Sequence, residues 1–512
     1  MVLVEKIKAG HLAIKNSAII RGINAFLVTP YALVLLGALT VASFMFSKEL
    51  VLYTVAIAYA AYVGLYGEDF APIIPLFVVC YIVPSKKNNP GLSEGGLFYG
   101  QSGTYIICLG VIAAVIILAR IALDKGMGYK NLFTRKRELA SGMLLLGLTY
   151  FISGLGSEKH LEVLKSNLLF ALIQFVSIFF LYFVLTSTVK WKKFNAEYFA
   201  WVGVMMGVIV TLEIIWIYYT DGVITNGVIN RGLIYSGWGC YNNMGALVTM
   251  SVPFAFYFAC RRRLSVPYLI LAVLLTIGVF LSCSRGSMVG VVAIFPFCFI
   301  YAYARAKHKT QFRLTMILVG LLALAAFILY GEEIFKLFEK VPSIVEIENG
   351  NIKFNDSRRF DLYYNGIRAF IEDPIFGQSF FTKVENFAHF ASVDSFNSFF
   401  PPRWHNTIVQ LLATGGVVCL VAYGIHRIQT IRLYFRRRSV MNTYIAFSII
   451  SLLCMSMLDC HMFNVGPVLF YSAALAVMEK GVAKRAPWDE TGMTEWKISE
   501  AALDAAMQNS DC

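Results

Sequence analysis

Charged side chains are scarce in this 512-residue chain: they make up 15% of it, where a soluble domain carries about a quarter. With 58% hydrophobic residues and a mean hydropathy of +0.65, that shortage excludes an ordinary soluble protein. Strict apolar–polar alternation is lacking too, while apolar runs of about 20 residues recur, so membrane-spanning helices are expected rather than a barrel. No Walker loop, GxGxxG unit or HExxH pair occurs, which leaves nucleotide hydrolysis and zinc hydrolysis without support. The ten cysteines never form a CxxC pair and read as small hydrophobes inside helices.

What is there is a succession of apolar runs. They lie near 31–46, 51–66, 70–84, 104–122, 138–155, 167–188, 197–219, 243–260, 264–282, 287–303, 314–330, 406–425, 441–459 and 463–478. The expected fold is an all-α polytopic membrane protein of 12 to 14 spans, the pair within 51–84 being the open point. The basic residues Lys6, Lys8, Lys15 and Arg21 precede a run without a cleavage site, so the first run reads as a retained span.

The formal charge of +13 invites a nucleic-acid reading, but the basic residues fall in alternate loops. If the N-terminal segment 1–30 is cytoplasmic, alternation places the Lys- and Arg-rich segments near 124–138, 190–193, 261–263, 305–313 and 426–438 on that same side. This is the positive-inside pattern, so no nucleic-acid partner is expected. The organisation that follows is transmembrane helices over 31–330, one large extracytoplasmic loop over 331–404 holding short amphipathic helices, further spans over 405–479 and a cytoplasmic tail over 480–512. From Gly331 to Arg403 there are eleven acidic residues against eight basic, as suits an outward loop.

Three residues at that outer boundary could carry chemistry. Arg285 joins two apolar runs in LSCSRGSMVGVV, and Gly286 lets the backbone turn there. It either snorkels to phospholipid phosphates or anchors a ligand phosphate with its fork of donors. Residues 357–371 read as an amphipathic helix with Phe360, Tyr363, Tyr364, Ile367, Phe370 and Ile371 on one face, stopped by Pro374. Arg359 borders the apolar face while Arg358 lies on the wet one, which makes Arg359 the stronger candidate cation. His405 opens the next span after two prolines; there the N–H groups of a helix start disfavour imidazolium, so it is either a neutral base or an aromatic-belt residue beside Trp404. His461, two residues after Asp459, is a second candidate.

Four blocks in order, CYNNMGALVTMSVP, LSCSRGSMVGVV, RFDLYYNGIRAFIEDPIFG and RWHNTIVQLLATGG, resemble the O-antigen ligase and polysaccharide polymerase superfamily over Cys240 to Gly416. The third block resembles the family's Arg, three residues and an aromatic, then a helix closing on Pro and Gly, here Arg359, Tyr363, Pro374 and Gly377. The fourth resembles its His-Asn with paired glycines about ten residues on, here His405, Asn406, Gly415 and Gly416. Tyr363 stands where Trp is common.

The resemblance implies a multi-spanning, type-C-like glycosyltransferase of the bacterial inner membrane, with its active site on the extracytoplasmic side. It implies a polyprenyl-pyrophosphate-linked glycan as donor, a glycan or lipid-anchored acceptor, no metal, no cofactor and an inverting reaction among membrane lipids. Arg285 and Arg359 would hold the pyrophosphate and His405 would activate the acceptor hydroxyl. Arg358, Asn406, Tyr363, Asn243 and Arg231 would bind substrate. A transporter of lipid-linked sugars is the alternative. It would place ionisable residues near the bilayer midplane, whereas Glu213 and Arg120 lie nearer helix ends, where snorkelling explains them.

Overall fold

The computed structural model describes residues 14–68, 70–79, 100–123, 137–157, 160–191, 194–225, 228–237, 239–339, 345–348, 351–354, 359–381 and 403–481. These are helical almost throughout, and the chain is an all-α polytopic membrane protein. The N-terminal part carries α1 (Ala18–Leu27), α2 (Pro30–Met45), α3 (Glu49–Tyr66), α4 (Ile74–Val79), α5 (Gly100–Leu123) and α6 (Ala140–Phe151). Next come α7 (His160–Phe175) and α8 (Leu181–Thr188), joined by a π-helical turn at Val176–Phe180, then α9 (Ala196–Thr220). The site-bearing part holds α10 (Tyr241–Arg261), α11 (Val266–Leu281), α12 (Arg285–Arg305), α13 (Lys309–Glu339), α14 (Arg359–Glu372), α15 (Thr407–Arg436), α16 (Val440–Ser456) and α17 (Val465–Lys480).

Each predicted apolar run meets a helix, but among the described residues six helices are long and apolar enough to cross a membrane, or seven if α1 and α2, bent by 71°, form one span. Several helices, among them α6, α11 and α16, are apolar but run 12, 16 and 17 residues, short of the roughly 20 that a straight span needs.

α10 is the axis of the molecule. It is wholly buried, and α9, α11, α12 and α16 pack around it. Small residues let them close in: a Cβ on Gly207 would lie 2.6 Å from Ser251 Cβ, and one on Gly203 2.9 Å from a ring carbon of Phe254. Packing of this kind holds helices together in a membrane, where lipid tails compete equally for apolar surface.

α14 packs on the protein through a face that the sequence did not single out. Its packed face is the small one, Leu362, Gly366 and Ala369, seated against Trp404 and Val409 of the α15 start. Phe360, Tyr364 and Ile371, expected on one apolar face, are left 66–68% exposed. A bilayer interface is the natural cover for such a face.

The segment after α14 is not a surface loop. Gly377 and Ser379 have positive φ, Ser379, Phe380 and Phe381 are buried, and the chain docks into a break in α15. There Gly416 adopts φ 63, ψ −162 inside the helix, and the freed groups are reused. Val417 N donates to Pro374 O at 2.9 Å, Gln378 N to Ala413 O at 2.8 Å and Ser379 N to Thr414 O at 3.1 Å. Pro374, Gly377 and Gly416, which carried the family resemblance, thus form one joint. A Cβ on Gly416 would collide with the carbonyl of Ile375. Gly416→Ala should cost on the order of 3 kcal/mol, from the glycine-only backbone conformation and the clash. Thermal unfolding of the detergent-purified protein measures it, with Gly424→Ala, where nothing lies within 4 Å of an added Cβ, as the unaffected control.

Candidate active site

Four helices begin at one end of the bundle, α10, α12, α15 and α17, and the turn after α16 meets them. Their N-terminal N–H groups give that end a positive field suited to an anion. The turn supplies Asp459, 4% exposed. Its Oδ1 lies 3.2 Å from His405 Nδ1 and accepts from Cys460 N at 2.6 Å. Asn242 Nδ2, in the first turn of α10, donates to Asp459 Oδ2 at 2.8 Å. Asn242 Oδ1 in turn accepts from Ser284 Oγ at 3.0 Å, and Ser284 caps α12 through Ser287 N. A continuous polar chain therefore runs from the residue before Arg285 to His405.

His405 is held from several directions. Its φ is 51, a region sparsely used by residues with a Cβ, and its carbonyl accepts from Tyr363 Oη at 3.2 Å. Asn406 caps α15, its Oδ1 accepting from Ile408 N and Val409 N at 2.8 and 3.2 Å while its Nδ2 donates to Met457 O at 3.0 Å. Buried Gln410 ties the two walls together, accepting from Trp404 N at 2.9 Å and from Cys460 Sγ at 3.3 Å. The backbone conformation at His405 is thus fixed by neighbours on α14, α15 and the α16–α17 turn.

Arginines lie on the segments that border this pair. Arg285 is the first residue of α12 and 7% exposed; an added Cβ on the adjacent Gly286 would sit 3.5 Å from Leu458, next to Asp459. Arg231 lies 5.2 Å over the ring of Tyr241, the first residue of α10. Arg359 opens α14, and its charge bears on both Tyr241 and His461. Arg403 bears on Asp459 and His461. Arg358 lies outside the described residues. Asn243 is buried and accepts a hydrogen bond from Asn464 Nδ2. Among the described residues no group of three or more His, Cys, Asp or Glu is placed to hold a metal ion.

Burial pushes the Asp459 carboxyl up, but His405, His461 and Arg403 outweigh it and hold the group below the usual carboxylate range. His461, 1% exposed, is pushed down to about 4, by burial first and by Arg403, His405 and Arg359 next, against the pull of Asp459. It is therefore neutral at pH 7 when folded, and between pH 6.5 and 4 the unfolded chain binds the extra proton. Stability should then rise with pH through that window. His461→Gln is expected to flatten the slope of thermal stability against pH between 4.5 and 6.5; an unchanged slope would assign it to other groups.

Sequence reasoning singled out His405, Arg285 and Arg359 but did not group Asp459, Asn242, Ser284 and Gln410 with them. The carboxylate at the end of an otherwise apolar run was a signal, and it was used only to mark His461. Arg120 lies in the last turn of α5, as the sequence suggested, but the surroundings of the other ionisable residues differ. Arg120 donates to the carbonyls of Gly64, Leu65 and Gly67 at 2.9, 2.9 and 3.0 Å and closes the end of α3. Glu213 is 1% exposed and so does not snorkel. His426, expected in a basic surface segment, is fully buried with Nε2 2.6 Å from Tyr471 Oη.

No curated protein matches the chain significantly. Residues 270–424, which include Arg285, Arg359, His405 and the α15 joint, match the family model described as O-antigen ligase, so that segment of the chain is similar to the O-antigen ligase family.

Proposed function

We infer that this protein transfers a glycan from a polyprenyl pyrophosphate to an acceptor hydroxyl at the extracytoplasmic face of a bacterial inner membrane. The observation that supports it most directly is the His405–Asp459 pair set among arginines and helix N-termini. With Asp459 Oδ1 3.2 Å from Nδ1, the tautomer protonated on Nδ1 is favoured, which leaves Nε2 to accept the proton of the attacking hydroxyl. The sequence reading counted only the helix start; the carboxylate adds orientation.

The hydroxyl attacks the anomeric carbon from the side opposite the pyrophosphate, giving inversion. The bond to the pyrophosphate breaks, and the charge that develops there is met by Arg285 and Arg359, with Arg231 and Arg403 nearby. Preorganised guanidinium groups stabilise that charge more in the transition state than in the ground state, so no metal is needed for the step.

Reconstitution of the purified protein with a polyprenyl-pyrophosphate glycan tests this. A ladder of lengths without any other acceptor marks a polymerase, the reading favoured here; product only after a lipid-core acceptor is added marks a ligase. The buried Glu213, His426 and Arg427 support a second reading, transport of the lipid-linked sugar. Movement of the substrate across the vesicle without new glycosidic bonds would establish it instead.

A further inference from the structure

Asparagine is a weak helix former, because its amide competes for nearby backbone groups. Asn242 nevertheless stands in the first turn of α10, 7% exposed, and both ends of its amide reach across the molecule. Nδ2 donates to Asp459 Oδ2 at 2.8 Å, 217 positions away, and Oδ1 accepts from Ser284 Oγ at 3.0 Å, 42 positions away. The two ends cannot be exchanged. Burial works against the charge of Asp459, but His405, His461 and Arg403 outweigh it, and an ionised carboxylate only accepts, so the amide nitrogen has to face it. Ser284 Oγ already accepts from Ser287 N at 3.3 Å, which leaves its proton for the amide oxygen.

The same amide joins two sides of the site. The starts of α10 and α12 are held in register: a Cβ on Gly245, three residues on from Asn242, would lie 2.6 Å from Ser282 Oγ and 2.7 Å from Ser287 Oγ. Ser284 caps α12 and precedes Arg285, the first residue of that helix. On the other side, Asp459 Oδ1 accepts from Cys460 N at 2.6 Å and lies 3.2 Å from His405 Nδ1. With Oδ1 placed in this way, the plane of the carboxylate is set by what bonds Oδ2, and among the described residues that is Asn242. A hydrogen bond to a buried carboxylate is short, directional and strengthened by its surroundings.

We propose that Asn242 is a positioning residue for the transfer step: it fixes the Asp459 carboxylate, and with it the His405 ring, against the helix start that carries Arg285. The assignment rests on the glycosyl-transfer reading above. The base sits before α15 and the anion-binding arginine begins α12, so one amide sets where the proton acceptor stands relative to the leaving group. Without it, Oδ2 of a buried carboxylate loses its donor and the carboxylate turns. Nδ1 of His405 then loses the acceptor that favours its proton. Imidazole left to itself carries the proton on Nε2, the atom that has to be bare to accept from the hydroxyl.

Asn242→Ala should lower kcat roughly tenfold to 10²-fold, the scale of a misplaced reacting group, and leave KM for the donor near its wild-type value, because the amide acts through Asp459. In an Asp459→Asn protein the same substitution should cost about twofold or less, since the network is already broken. An equal loss in both backgrounds would make Asn242 a packing residue and overturn the proposal. The tautomer is read separately, by nitrogen NMR of full-length protein in proteoliposomes with isotope-labelled histidine at mildly alkaline pH. The His405 signals are identified by their loss in His405→Asn. Wild type should carry the proton on Nδ1 and Asn242→Ala should shift it toward Nε2; unchanged populations overturn the proposal. Ser284→Ala, which releases the amide oxygen, should shift the tautomer in the same sense and decides the matter where Asn242→Ala does not fold. Thr249→Val, which removes a hydroxyl bonded to Gly245 O at 2.8 Å deeper in α10, should change neither reading. A wild-type protein that shows the Nδ1 proton but transfers no glycan would overturn the glycosyl-transfer reading alone, because the tautomer is read without turnover.

Discussion

His405→Asn should lower the transfer rate by about 10²- to 10⁴-fold, the range for loss of a positioned general base. Asparagine is the better substitute because it tolerates positive φ, and His405 has φ 51, so the Tyr363 and Asn406 contacts persist. A comparable loss in His405→Ala combined with normal thermal stability would show that the imidazole, not the backbone, is responsible. Asp459→Asn should fall short of that loss in kcat, since the ring remains but is held less well. It should also shift the acid limb of the pH–rate profile, a change that a merely structural carboxylate would not cause. A His405→Asn protein as active as wild type in the reconstituted assay would end the base assignment, and His461 would not replace it, since His461 is buried with its Nδ1 3.4 Å from Asn464 Nδ2.

The helical class and the order of helices were legible because apolar runs and the distribution of Lys and Arg report directly on solvation. Helix lengths were less so: a run of apolar residues does not say where a helix breaks, and α1–α2, α7–α8 and α15 all break or bend inside or beside their runs. Arg285, Arg359 and His405 were readable as polar exceptions at span boundaries. Asp459 was harder to read because its meaning is its partner: a carboxylate near a helix end is ordinary until His405, 54 positions earlier, is found 3.2 Å away. Asn242 and Asn243 show the same limit at one residue's resolution. Both are buried in the first turn of α10, yet Asn242 bonds Asp459 and Asn243 bonds Asn464, and only helical phase in three dimensions separates them. The apolar face of α14 was legible from amphipathicity, but the small face that packs on the protein was not. Gly366 decides that packing, since only a small residue there lets Trp404 and Val409 approach.

Arg285→Lys carries the second large effect, and its conservative character is what makes it informative. The residue is 7% exposed and starts α12 beside the Ser284–Asn242–Asp459 chain, so a substitute must place donors toward the same anion without solvent to compensate. A lysine keeps the charge but loses the planar fork that meets two phosphate oxygens at once. Removing one preorganised donor from a developing oxyanion costs about 10²–10³ in kcat, so Arg285→Lys is expected to lose at least about tenfold and Arg285→Ala the larger amount. Arg359→Ala should do likewise, and the double variant should lose less than the product of the two single effects, because both would act on one leaving group. The loss should appear in kcat more than in KM, since the charge on the pyrophosphate grows as its bond to the sugar breaks. An arginine that only met lipid headgroups would behave otherwise: Arg285→Lys would then transfer glycan at the wild-type rate, and the pyrophosphate would have to be held by Arg231, Arg359 and Arg403 alone.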